Sequence, residues 1–466
     1  MKNRLEHHSE MAIPRLMCTQ HPDSTVRIPV SEEVQEAILG YGLYGCDEVM
    51  VDFEGKLTPY SQPRDIVLKA LEEGIPVGEE FFVTVRVPNP KLEGVDRLLL
   101  ALESAVLANY YSVNHTGVEA VRWVVVPMVD SSDVLLVAHR ALHEKARLVR
   151  ELTGVHTEPP EVVPLLEGVS EHLNAESILA SYFESLERSG IDPKPLRVFV
   201  GKSDAALRSG HLASLLSTLH ALSSIHDLAH RLGVDVSVVL GMGSPPFRGG
   251  LNNPSLAEVE ARFYRGFDTA TLQSAVRYDV PREVARHVSK VLRDNAGKPA
   301  TRFRASRELL EALSQAYRSR VTQLLPALNE IADKVPQTRE RLDRRLYGRF
   351  IAEDAPGPAP RAIAFTAACY SVGFPPTLLD ARGIMEKLEE LSSPLLEHIK
   401  AELELDYQFF VPEVAGRFLG RSPVREALDL KEKIGVEAAP RENYLSAINA
   451  GDFDVVRLAR IRGFLG

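Results

Sequence analysis

Val236-Ser237-Val238-Val239-Leu240-Gly241-Met242-Gly243-Ser244-Pro245-Pro246-Phe247-Arg248-Gly249-Gly250-Leu251 runs from an apolar, β-branched stretch straight into a glycine- and proline-dense one. The first part reads as a buried strand and the second as a loop at its carboxyl end. Glycines at 241, 243, 249 and 250 remove side-chain bulk and permit positive φ, so that backbone N–H groups can converge on an anion. Arg248 is the one cation among them, permanent and forked. The segment suits a phosphate, carboxylate or bicarbonate; a long irregular turn with a solvated arginine would read the same way.

Outward from this point the strand pattern repeats. Runs of the same kind occupy residues 48–53, 81–87, 121–129, 161–167, 196–201 and 234–240, with a seventh at 269–276. Helix-period segments at 97–109, 133–152 and 211–232 lie between them. Alternating strand and helix predicts a parallel sheet with right-handed crossovers. Past Asp279 the pattern is helical and charged, interrupted by Pro299, Pro326 and Pro336, and residues 354–360 form a Pro-rich linker. Residues 361–366 are short and apolar and are read as an eighth strand; from Thr377 to Gly466 the period is helical again. The expected fold is α/β, an elaborated TIM (β/α)8 barrel. Residues 1–280 and 361–376 would form the barrel, 281–360 a helical insertion and 377–466 a helical C-terminal region. A doubly wound open sheet accounts for the same alternation.

Bulk properties narrow the function classes. The 466 residues carry a net charge of −10, which argues against nucleic acid or an anionic membrane as partner. No apolar run approaches the roughly 20 residues a bilayer span needs. Residues 1–8 are polar and charged, so no secretory signal is visible. Cys18, Cys46 and Cys369 show no paired spacing, which speaks against a disulfide scaffold or cysteine zinc site and for a reducing compartment. A cytoplasmic metabolic enzyme is the expectation.

In a barrel the chemistry sits at the carboxyl ends of the strands. The residues there are Asp52, Glu54, Lys56, Arg86, Asp130, Glu167, Lys202, Asp204, Arg248 and Gln273. Carboxylates beside arginines suit a hard divalent metal and an anionic substrate. Glu167 and Asp204 end successive strands and read either as a metal pair or as caps of the following helices. His21, held extended before Pro22, reads either as an imidazole presented to a cavity or as a structural histidine. Arg344, Arg345, Arg349 and Arg361 bracket the Pro-rich linker and could equally be solvated helix charges.

Taken in order, these motifs resemble phosphoenolpyruvate carboxylase of the short archaeal type. Thr19-Gln20-His21-Pro22-Asp23 looks like that form's Thr-Gln-His-Pro-Asp. Pro164-Leu165-Leu166-Glu167 resembles Pro-Leu-Phe-Glu, and Gly201-Lys202-Ser203-Asp204 resembles Gly-Tyr-Ser-Asp. The loop at 241–250 is similar to a longer form's mobile loop, with Arg248 at its second arginine and Met242 where the first would stand. Thr84-Val85-Arg86 is similar to the strand end that holds phosphate. Tyr347-Gly348-Arg349 and Arg361-Ala362-Ile363 look like the Gly-Ser-Arg and Arg-Ala-Ile-Pro-Trp segments. Gly466 resembles the long form's terminal glycine, although Arg462-Gly463-Phe464-Leu465 departs from its tail.

The resemblance implies carboxylation of phosphoenolpyruvate by bicarbonate to oxaloacetate and phosphate, with Mg2+ or Mn2+ on Glu167 and Asp204. It implies His21 and Arg248 as catalytic residues, with Arg248 on the bicarbonate-derived group. Arg86, Arg349, Arg361, Gly249 and Gly250 would hold substrate, with the glycine-rich loop as a lid and a homotetramer as the assembly. Another metal-dependent barrel enzyme acting on phosphoenolpyruvate or pyruvate, or a non-catalytic sensor of such metabolites, would share the strand-end residues.

Overall fold

The computed structural model describes residues 12–19, 30–191, 196–335, 359–451 and 454–466. Eight parallel strands close into a barrel in chain order. They are β1 (Leu16–Thr19), β2 (Glu48–Asp52), β3 (Phe82–Arg86), β4 (Trp123–Val126), β5 (Glu161–Leu166), β6 (Leu196–Gly201), β7 (Val236–Gly241) and β8 (Thr269–Leu272). Met17 pairs with Thr271 where β1 meets β8, which closes the ring. The expected TIM-type α/β barrel is thus the fold, and the open sheet is not.

Two readings of individual elements are corrected. The remaining strand is Leu16–Thr19, and the segment proposed for it, 361–366, instead enters the helix Ala362–Ser371. Alanines at 362, 364, 367 and 368 give that segment a strong helical preference. Leu16-Met17-Cys18-Thr19 lacks a β-branched run, but a barrel strand covered on both faces needs only apolar bulk. The 269–276 run also divides: β8 ends at Leu272 and a short helix, Ser274–Tyr278, follows.

Strand alternation separates two cores. Met17, Met50, Phe82, Trp123, Val125, Val163, Leu165, Phe199 and Val239 pack inside the barrel. Their neighbours, such as Val49, Val83, Val124, Val198 and Val238, face the ring of helices. The lower end of the barrel is closed by charge. Arg197 makes a fork to Glu48 (2.8 and 2.7 Å), donates to the Thr269 hydroxyl at 2.9 Å, and lies 4.1 Å over the Trp123 ring. Both ions are buried, and the fork and the Thr269 hydroxyl satisfy both terminal nitrogens of the guanidinium, which helps a desolvated ion pair to hold.

Cys18 and Cys46 form a disulfide, contrary to the expectation from their spacing. Met17 pairs with Glu48, so adjacent parallel strands bring the two cysteines together across 28 residues of chain. The Val30–Tyr44 helix approaches closely here, where a Cβ on Gly40 would lie 3.3 Å from the Cys18 sulfur. Cys369 is free and buried. The inference of a reducing compartment therefore loses its basis. The Arg282–Asn295 helix packs on β8 and β1 and completes the surrounding ring. The C-terminal helices bury their apolar faces within the chain, around Tyr370, Phe409, Val411, Tyr444 and Phe464. No single described helix is long and apolar enough to cross a membrane.

Candidate active site

Because alternate residues of each strand point inward, the strands' carboxyl ends deliver a defined set of side chains to one cavity of about 200 Å3. Asp52 comes from β2, Arg86 from β3, Glu167 from just past β5, and Thr271 and Gln273 from β8 and its end. Glu54, Lys56 and Arg248 come from the loops, Ser203 and Asp204 from the first turn of the helix Ser203–Ser209, and Arg361 and Ile363 from the start of the helix at 362. The cavity exceeds the roughly 30 Å3 share of one water several-fold, so it takes a small metabolite.

Arg86 lies in a fork on Asp52 (2.8 and 2.7 Å) and reaches Glu54 at 3.0 Å, while Lys56 contacts the same Asp52 carboxylate. Burial pushes the Asp52 carboxyl up, but Arg86 and Lys56 outweigh it and hold the group well below the usual carboxylate range. The converse holds for Arg86, whose guanidinium is kept charged by Asp52 and Glu54 against its burial. One buried oxygen of Glu54, Oε1, has no hydrogen-bond partner, and Glu54 lines this cavity.

Glu167 and Asp204 are brought to the same wall. β5 and β6 are neighbours, paired through Leu165–Phe199 and Leu166–Val200, so both carboxylates leave adjacent strand ends. The Glu167 Oε2 accepts the Met128 N–H at 3.1 Å, and Met128 adopts φ 55°, the left-handed conformation rare for a non-glycine residue. Gly201 lies between them: a Cβ there would stand 3.6 Å from Cγ of Glu167. Two hard oxygen donors beside space left by a glycine fit a divalent ion such as Mg2+ or Mn2+.

The glycine-rich loop differs from its expected form. Residues 242–250 are all buried. The N–H groups of Gly243, Gly249 and Gly250 donate to the carbonyls of Arg248, Pro246 and Pro245 at 2.8, 2.7 and 3.0 Å. They are therefore spent within the loop and not offered to an anion. Gly249 and Gly250, expected at the substrate, do not line the cavity. Their positive φ values of 105° and 63° serve the tight return of the chain past Met242, which is buried. Met242, where the resemblance set an arginine, packs in the core.

Arg248 is what the loop delivers. Its guanidinium donates to the Ser203 hydroxyl at 3.1 Å, to Gln273 Oε1 at 3.3 Å and to the Gly466 carbonyl oxygen. A Cβ on Gly243 would lie 2.8 Å from Cζ of Arg248, so this arginine folds flat over a glycine. Burial pushes its pKa down to about 10, with Asp204 opposing and Arg361 reinforcing the fall. Asn252 ties the loop to β8, donating to the carbonyls of Met242 (2.9 Å) and Thr271 (2.8 Å) and accepting from the Gln273 N–H (2.9 Å).

Of the remaining sequence candidates, Arg361 lines the cavity, whereas His21 and Arg349, with Arg344 and Arg345, lie outside the described residues. Asp130 pairs with exposed Lys91 at 3.3 Å, away from the cavity. Lys202 turns behind the loop, fully buried. Asn252 and Thr271 were missed, while Ser203 was quoted only as part of its motif and Gly466 only for its resemblance to the long form's terminal glycine. The period-2 spacing of Thr269, Thr271 and Gln273 was the available signal for Thr271; no local pattern marks Asn252.

The lining residues balance: Asp52, Glu54, Glu167 and Asp204 against Lys56, Arg86, Arg248 and Arg361. An anionic substrate entering such a site adds charge that a dication on the carboxylate pair would offset.

Comparison with known proteins gives a consistent answer. A family model described as phosphoenolpyruvate carboxylase matches residues 13–466. A phosphoenolpyruvate carboxylase of Thermofilum pendens is 48% identical, covering 98% of this chain and 100% of the relative. One from Pyrobaculum arsenaticum is 44% identical over the same shares. One from Methanosarcina barkeri is 33% identical over 92% of this chain and 90% of its own.

Proposed function

The chain belongs to the phosphoenolpyruvate carboxylase family, and from that premise we propose how its strand-end cavity carries the reaction. The enzyme is a carbon–carbon lyase that joins phosphoenolpyruvate and bicarbonate to give oxaloacetate and phosphate. The observation that carries the assignment to this cavity is the meeting of Arg86, Arg248 and Arg361 with the Glu167–Asp204 pair around one small pocket.

Arg86 binds the phosphate. Its fork already sits on Asp52, so its orientation is fixed before substrate arrives. Arg361 and Arg349 supply further cationic contacts, Arg349 by its motif alone. Glu167 and Asp204 hold Mg2+ or Mn2+, which when bound would offset the negative charge of the enolate and of the departing phosphate. Bicarbonate attacks phosphorus, breaking its bond to the enol oxygen and leaving carboxyphosphate and the enolate. Carboxyphosphate then gives CO2 and phosphate, and the enolate carbon bonds to CO2.

Arg248 holds the bicarbonate-derived group, oriented by Ser203 and Gln273. Its burial excludes water from the group it binds, which protects carboxyphosphate and CO2. His21 takes or returns the bicarbonate proton; Thr19, two residues earlier, lines the cavity. We place the enzyme in the cytoplasm as a homotetramer. Exposed Leu99, Leu100 and Leu107 on one helix, with Val137, Leu148 and Leu152 on its neighbour, support association through that face.

A coupled assay tests the proposal. Oxaloacetate should form only with both phosphoenolpyruvate and bicarbonate, without nucleotide, and should stop when a chelator is added. A His21→Asn variant should release phosphate with little oxaloacetate. Nucleotide-dependent turnover would sink the assignment, and full carboxylation by His21→Asn would remove His21 from the mechanism.

A further inference from the structure

Behind the glycine-rich loop, away from the cavity just described, lies a second group of ionisable side chains. Glu260 stands on the short helix Ala257–Phe263; His398 and Glu402, four residues apart on Ser393–Asp406, share one helical face. The Glu260, His398 and Glu402 donor atoms all lie within 4.8 Å of one another, and all three residues are buried. His398 Nε2 is 3.2 Å from Glu260 Oε2 and 3.8 Å from Glu402 Oε2.

These groups satisfy one another only in part. His398 Nε2 and Glu260 Oε2 face each other as an ion pair, but Glu260 Oε1, Glu402 Oε1 and the Tyr264 hydroxyl are buried without a hydrogen-bond partner. Each such atom costs about 1–3 kcal/mol if left unpaired, so three in one place favour an occupant. Charge points the same way. Glu402 repels the Glu260 carboxylate across this space, and a cation between the two would relieve that repulsion.

We propose that Glu260, His398 and Glu402 bind a structural divalent transition-metal ion of the zinc class, separate from the ion of the reaction. Ligands at about 2.0–2.2 Å around a tetrahedral ion stand about 3.3–3.6 Å apart, close to the two separations found here. Two carboxylates and an imidazole favour zinc over magnesium, which keeps to oxygen donors. Tyr264, beside His398 with ring centroids 6.0 Å apart, offers its hydroxyl as a fourth donor.

The surrounding shell is that of a metal site. Lys202 can only donate, so His211 Nδ1 accepts from it at 3.4 Å; His211 Nε2 then carries the proton and donates to Glu402 Oε2 at 2.8 Å. Outer hydrogen bonds of this kind orient a ligating carboxylate. Phe263 stacks flat on the His398 ring at 3.5 Å and fixes its plane. The ion would join the C-terminal helices to the loop that carries Arg248. Lys202 also donates to the Phe247 carbonyl at 3.1 Å, and a Cβ on Gly250 would meet Glu260 Oε1 at 2.8 Å.

The test uses the full chain, dialysed against a weak chelator without magnesium and then given one equivalent of Zn2+. Retained metal is measured by elemental analysis, and the ion is located by anomalous diffraction at the zinc edge. We expect about one ion per chain, among Glu260, His398 and Glu402. Asp204→Asn should keep that ion. His398→Gln and Glu260→Gln, checked for folding by circular dichroism, should bind it at least about 100-fold more weakly. Should both variants fail to fold, the diffraction peak of the parent protein decides. The proposal falls if the parent retains less than about a tenth of an equivalent, if His398→Gln keeps the ion, or if the only peak lies at Glu167 and Asp204. The last result would leave the carboxylase assignment standing.

Discussion

The Arg248 guanidinium donates to the carbonyl oxygen of Gly466, 218 residues further along the chain. The end of the C-terminal region thus takes part in holding the arginine assigned to bicarbonate. Gly466 sits where a Cβ would come within 2.2 Å of the Ile363 carbonyl oxygen, and Ile363 lines the cavity.

Gly466→Ala should therefore displace this contact without unfolding the barrel. A hydrogen bond to a charged group contributes about 1.5–3 kcal/mol, so kcat for carboxylation should fall about 10- to 100-fold. Binding of Mn2+ should be unchanged, because Glu167 and Asp204 stand on other elements. Steady-state kinetics beside a metal titration separate the two. An alanine variant with parental kcat would show that the contact is incidental.

Asp204→Asn removes one of two charged donors from the proposed metal pair. Binding of Mn2+, followed by electron paramagnetic resonance, should weaken at least about 10-fold. Loss of Asp204 also removes the charge that opposes the fall in the Arg248 pKa, so that arginine becomes harder to keep protonated. Equal Mn2+ affinity in parent and variant would remove Asp204 from the metal site.

What the sequence disclosed follows from how local each signal is. β6 and β7 carry valine-rich runs ending in glycine, and so Gly201, Asp204 and Arg248 could be placed at strand ends. β1 escaped because four residues without β-branched repetition carry no periodic signal, and its place was given to an alanine-rich helix start. Arg248 was legible; the inward-turned N–H groups of its loop were not, because they depend on carbonyls at Pro245 and Pro246 folding back. The Glu260–His398–Glu402 group was illegible, since its members meet only when a C-terminal helix packs behind the loop. Disulfide pairing was hidden for the same reason: parallel strand register, not spacing, sets it.

His172, just past Glu167, supplies a pH prediction. Its Nε2 donates to the Leu166 carbonyl at 3.2 Å, and its Nδ1 lies 3.1 Å from the Ser217 hydroxyl. Burial pushes its pKa down to about 4, against backbone contacts that oppose the fall. Above pH 6.5 the ring is neutral in folded and unfolded chains alike and contributes no pH dependence. As pH falls from 6.5 toward 4 the unfolded chain takes up a proton that the folded one refuses, so stability declines, by on the order of 3 kcal/mol. Denaturant titrations from pH 7 to 4 should show a decline that His172→Gln reduces. An identical decline in the variant would assign it to other groups.

The Cys18–Cys46 bond makes a prediction that thiol counting decides. It closes a loop with a sequence separation of 28, which restricts the unfolded chain and stabilises the fold by about 3–4 kcal/mol. Protein purified without reductant and then unfolded should show one reactive thiol, that of Cys369, and three after reduction. Reduction should also lower the denaturant midpoint, and a Cys18→Ser, Cys46→Ser double variant should begin at the lower value and ignore reductant. The bond fastens β1 to the approach of β2, beneath Thr19 at the cavity wall, so its loss should loosen β1 at that wall. Three thiols before any reduction would mean that the two sulfurs lie close without bonding, and the stabilisation would have to come from packing against Gly40 alone.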